Sequence, residues 1–135
     1  MGIPQVVVSG CLDMVNFAAL ATVPEKYKER YLFSWAPDVT LMRTNKKENE
    51  ILGKTFVEKL NRSLGPVTVL LPLGGISKIS AEGDAFYRPD IDAVLFEAIK
   101  ENFKDSIQVV EVHANINTID FAEQAVKSLL ERVKN

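Results

Sequence analysis

Val67-Thr68-Val69-Leu70-Leu71-Pro72-Leu73-Gly74-Gly75-Ile76-Ser77 decides how this chain is read. A β-branched, apolar run that short reads as a buried strand. It breaks on Gly65-Pro66 at one end and on two glycines and a serine at the other. Twin glycines let backbone N–H groups approach an anion with no Cβ in the way. The segment then looks irregular as far as Pro89, and a loop of that length in a compact domain is usually a binding loop.

Working outward, the pattern alternates strands and helices. Gln5 to Val8 is a first strand, turned by Ser9-Gly10-Cys11. Asp13 to Ala21 is expected to be helical and to end at Val23-Pro24, and Glu25 to Tyr31 reads as a short second helix. Tyr31 to Trp35 and Val39 to Met42 are extended, and the three-residue turn between them excludes parallel neighbours. Asn45 and Glu48 form a capping-box pattern ahead of Leu52, Phe56, Leu60 and Leu64. Asp90 is expected to cap a helix with Ile91, Leu95, Ala98 and Ile99 on one face. Ile107 to Val112 is the last strand. A final helix, capped by Asn117 or Thr118, should turn Phe121, Ala122, Ala125, Val126, Leu129, Leu130 and Val133 inward. The expected fold is a single α/β domain over residues 1–135: a three-layer sandwich, Rossmann-like or flavodoxin-like, with a mostly parallel open sheet and helices on both faces.

Composition bounds the function. The chain has 135 residues, enough for one core in which roughly two-thirds of the unfolded surface is buried. Net charge is −2, with no basic stripe, which argues against nucleic acid held through phosphates. No apolar run is long enough to span a bilayer, so no membrane partner is expected. Neither a basic n-region nor an apolar h-region follows Met1, so no secretory leader is expected. One cysteine, Cys11, makes no internal disulfide and fits a cytoplasmic setting.

In open α/β folds ligands bind beyond the carboxyl ends of the strands. That rule gathers Ser9, Gly10, Asp13 and Asn16; Arg43 and Thr44; Gly74, Gly75 and Ser77; and Asn115 and Asn117 as a candidate ligand rim. Backbone donors, an arginine and helix N-termini there suit a small anion bearing phosphate or carboxylate. The alternative for each is ordinary turn and cap chemistry, and for Arg43 a salt bridge to Asp38 or Glu48. Walker, Rossmann and nucleophile-elbow spacings are missing. One Cys and one His cannot build a structural zinc site, and no metal is expected. A Cys11–His113 pair is sterically allowed as a nucleophile and base, so the sequence leaves enzymatic activity open.

Four blocks carry a resemblance. Gly10-Cys11-Leu12-Asp13-Met14-Val15-Asn16-Phe17, Leu41-Met42-Arg43-Thr44, Pro72 to Ser77 with Gly83, Phe86, Asp92, Leu95 and Phe96, and Asn115-Ile116-Asn117 with Phe121-Ala122 appear in this order. Together they resemble an uncharacterised two-domain family that includes a plant resistance protein against tomato mosaic virus. Members of that family are roughly three times this length, with two Rossmann-like halves, and this chain resembles the C-terminal one. The resemblance implies a ligand rim at Asp13, Asn16, Arg43, Gly75, Ser77 and Asn117, and makes ATP or another nucleotide the candidate cofactor. It also implies a second copy, or a separate N-terminal-half subunit, as a partner. The alternative function is therefore an assembly domain without small-molecule chemistry. Asn115, Thr118 and Ser80 stand where the family has His, Asp and Asp, which removes its acid–base and metal candidates.

Overall fold

The computed structural model describes residues 2–134; Met1 and Asn135 lie outside them. Among the described residues two three-stranded sheets and three α-helices make up the mixed α/β fold. The parallel sheet consists of β1 (Gln5–Val8), β5 (Val67–Pro72) and β6 (Ile107–Val112), in the order β1-β5-β6. The antiparallel sheet consists of β2 (Met14–Phe17), β3 (Leu32–Ala36) and β4 (Val39–Arg43), in the order β2-β4-β3. The expectation of one mostly parallel sheet is thus corrected: only three of the six strands are parallel.

The core follows from strand alternation. Val67, Val69 and Leu71 of β5, with Val7, Ile107 and Val109 beside them, point at α1 (Lys46–Leu60) and α2 (Pro89–Lys100). There they meet Leu52, Phe56 and Val57 of α1 and Leu95, Phe96 and Ile99 of α2. The intervening Thr68 faces the other way, toward α3 (Ile119–Val133), where Arg132 Nε donates to Thr68 Oγ1 at 2.9 Å. Asn45 and Glu48 form the expected capping box at the start of α1. Thr118 caps α3 through Phe121 N. At α2 the cap position belongs to Arg88, not Asp90, because Pro89 is pre-set for the first helical position.

Residues expected as a helix from Asp13 to Ala21 form a turn, then β2, then a single 3-10 turn at Leu20–Thr22. Met14-Val15-Asn16-Phe17 pairs with Thr40 to Arg43 on β4, and this pairing overrides the weak helical pattern. The expected helix from Glu25 shrinks to one 3-10 turn, Glu25–Tyr27. The loop from Leu73 to Arg88 is irregular apart from one 3-10 turn at Lys78–Ser80, and it is well packed. Its Ile79 and Phe86 are buried against Leu41, with Met14, Phe33 and Val39 around them.

The antiparallel sheet is tied to the rest by one buried cation. Arg43, 4% exposed, ends β4. Its Nη2 donates to Asp92 Oδ1 of α2 at 2.5 Å, and its Nε donates to Phe86 O at 3.1 Å. The salt bridges to Asp38 or Glu48 open to Arg43 on sequence do not form. Glu48 is taken by Arg30 in a two-pronged pair of 3.0 and 2.7 Å. Arg43→Ala would leave Asp92 buried without a counter-charge, so a loss of about 3–5 kcal/mol is expected in urea denaturation. Arg30→Ala, which opens a partly exposed pair, should cost clearly less, about 1 kcal/mol. Equal costs would contradict this placement of Arg43.

Candidate functional site

The Gly74–Ser77 bend joins three loops. Gly74 N donates to Ala114 O and Gly75 N to Pro72 O, both at 3.0 Å. Ile116 N returns a bond to Gly75 O, and Cys11 N donates to Ile76 O at 2.8 Å. Asn115 Nδ2 reaches Ser77 O at 2.9 Å. The glycine N–H groups, expected to face an anion, are therefore spent within the fold, that of Gly74 on the loop after β6 and that of Gly75 on closing the turn after β5. Glycine is required here for packing. A Cβ on Gly74 would sit 2.6 Å from the Ala114–Asn115 backbone, and Gly75 has φ +126°.

A cleft of about 480 Å³ opens beside this knot. Cys11, Ser77, Lys78 and Asn117 come from the loops, and Asn16 projects from β2. Met14, Trp35, Val39, Leu41 and Ile79 supply an apolar wall. The sequence rule thus brings Asn16, Ser77 and Asn117 to one mouth. Ser9 and Asp13 are buried and Gly10 packs against Ile116, and none of these three lines the cleft. Arg43 and Thr44 instead line a different recess with Arg30, Tyr31 and Arg88. Cys11 and Lys78, which belong to the same loops, and Trp35 near the hairpin tip also line the cleft, and Trp35 is 54% exposed where core packing would be the commoner fate of a tryptophan.

Behind the cleft Ser77 Oγ donates to Asp13 Oδ2 at 2.6 Å, and both residues are buried. Asp13 Oδ1 has no hydrogen-bond partner. Burial holds the Asp13 carboxyl above the usual carboxylate range, against the opposing pull of the Ser77 hydroxyl and of Arg43. Cys11 occupies the left-handed region at φ 57°, where a side chain other than Asn or Asp is uncommon. Burial and the nearby Asp13 push its thiol up, which opposes thiolate formation. His113 is exposed and does not line the cleft, so the structure does not bring the Cys11–His113 pair together there. Among the described residues no group of three or more His, Cys, Asp or Glu could hold a metal.

Comparison with known proteins gives one family. The model described as the uncharacterised protein family (UPF0261) C-terminal domain matches residues 1–133. The chain is similar to a UPF0261 protein of Clostridium tetani, 47% identical over 99% of this chain and 33% of that protein. It is also similar to a UPF0261 protein of Rhizobium meliloti, 44% identical over 92% of this chain and 32% of that protein. The ToMV resistance protein Tm-1 of Solanum lycopersicum is 35% identical over 96% of this chain, which covers 17% of it. The chain thus spans about a third of the length of its bacterial relatives.

The raised Asp13 carboxyl fixes a pH dependence. The folded state holds the Asp13 proton more tightly than the unfolded chain does. Asp13 therefore contributes a loss of stability as pH climbs from the ordinary value of 3.8 through its raised folded value. Asp13→Asn removes this slope while keeping an acceptor for Ser77. Urea midpoints across pH 4 to 7 should show the variant gaining on the parent as pH rises. A pH-independent difference would contradict a raised Asp13 carboxyl.

Proposed function

This chain belongs to the UPF0261 family, matching its C-terminal domain, and on that footing we propose that its cleft binds a small organic ligand bearing a phosphate or carboxylate. The observation that carries this reading is convergence. Cys11, Asn16, Ser77, Lys78 and Asn117 lie far apart in sequence and line one opening. A few polar groups against an apolar wall is the usual make-up of a small-molecule site. Lys78 supplies the cation, Asn16 and Asn117 supply amide donors and acceptors, and Trp35 with Met14 offers a flat apolar surface for the ligand body.

Binding is favoured over a reaction by the lining itself. Among the described residues it includes no carboxylate and no imidazole, and Asp13 stays behind Ser77 with its charge disfavoured. A nucleotide fits the same proposal, with its base on Trp35 and its phosphate at Lys78. So does the finer reading of the fold as a Rossmann-like, three-layer sandwich. That reading is supported by a parallel sheet with α1 and α2 on one side and α3 on the other. A cytoplasmic setting belongs to the proposal too, supported by the free Cys11.

Thermal denaturation against nucleotides, sugar phosphates and dicarboxylates tests the reading. At about 100 times the dissociation constant a ligand adds about 2.7 kcal/mol, a rise of several degrees in the melting temperature. Lys78→Ala and Asn117→Ala, both at exposed positions, should abolish that rise without lowering the unliganded melting temperature. No rise with any compound, or a rise that survives both substitutions, would overturn the proposal.

A further inference from the structure

Helix α3 is docked with its amphipathic pattern the wrong way round. Its buried positions carry Phe121 but also Ser128, and Arg132 turns to the sheet, donating to Thr68 and to Gln108 Oε1 at 2.7 Å. The residues expected to face inward are largely outside: Val126 is 59% exposed, Leu130 51% and Val133 64%. Ile119, at the helix start, continues the same strip at 76%. Ile119, Ala122, Val126 and Leu130 line a shallow groove along the helix. A continuous apolar strip of that kind on a folded surface marks an interaction site.

We propose that this face is a seam for another polypeptide element, an apolar helix laid along α3, supplied by the part of UPF0261 proteins that lies outside the matched third. Three observations name that occupant. First, among the described residues β1 pairs with β5 alone, so it ends the parallel sheet, and α3 packs over these two strands with its apolar strip turned away from them. Parallel sheets are normally extended and covered on both faces, and such an edge with an uncovered helix is where the next layer continues. Second, the bacterial relatives have about twice as much further chain as the region they share with this one. Third, Glu123, Lys127, Glu131 and Lys134 flank the groove with alternating sign. That fringe suits a protein surface and lacks the basic excess that marks anionic lipid.

The test compares this chain alone with the same chain grafted in place of the matching third of a longer UPF0261 protein. Val126→Glu with Leu130→Glu should leave the melting temperature of the chain alone within about 2 °C, since those positions face water there. It should lower that of the graft by more than about 5 °C. As an independent readout, Leu130→Cys in a Cys11→Ser background should react with a thiol reagent at least tenfold more slowly in the graft. Equal effects and equal labelling rates in the two settings would overturn the proposal. So would a concentration-dependent dimer of the chain alone that Val126→Glu with Leu130→Glu dissolves, because a second copy would then be the occupant.

Discussion

A guanidinium buried at the end of β4 is the constraint on which the remaining structure depends. Taking an arginine out of water costs several kcal/mol unless its donors and its charge are met. Arg43 is met by Asp92 on α2, by Phe86 O in the long loop and, at 3.4 Å, by Thr44 Oγ1. One side chain thereby fixes the antiparallel sheet, the loop after β5 and the start of α2 relative to one another. Phe86 is held with its ring against Tyr31 and Phe33, at centroid distances of 5.7 and 6.2 Å. Ile79 and Phe86 then pack on Leu41, whose neighbours form the cleft wall.

A second knot, made of backbone, sets the polar side of the cleft. Gly74 and Gly75 let the β6–α3 loop lie directly on the bend after β5, and Cys11 N closes the third side on Ile76 O. Ser77 sits where the two constraints meet. Its hydroxyl is directed inward to Asp13 and its backbone N donates to Ser80 Oγ at 2.9 Å. The cleft-lining groups that this knot does not use are Lys78, Asn16, Asn117 and the face of Trp35, which is why the proposed ligand is assigned to them.

Local chemistry was legible in the sequence and long-range partnership was not. The capping box at Asn45 and Glu48, the apolar run of β5 and the hairpin on either side of Ala36-Pro37-Asp38 each depend on neighbours a few residues away, and all were readable. The choice of Asp92 for Arg43 spans 49 positions, and no spacing rule separates it from Asp38 or Glu48. Strand β2 is not legible locally because Met14 to Phe17 is too short for a clear period and gains its form from β4. The rule that ligands bind beyond the carboxyl ends of the strands names Asn16, Ser77 and Asn117, which do line one cleft. It also placed Arg43 and Thr44 there, since it says which loops share an end of the sheet and not which side chains are spent holding them. For α3, amphipathicity says which face is apolar and not which face is covered.

Whether the proposed mouth receives a ligand is read from amide chemical shifts of the labelled chain while orthophosphate and then AMP are titrated in. Saturable, concerted shifts at Cys11, Asn16, Lys78 and Asn117 with a single dissociation constant are expected. Shifts confined to the recess lined by Arg30 and Arg88, or scattered without saturation over the surface, would contradict the proposal.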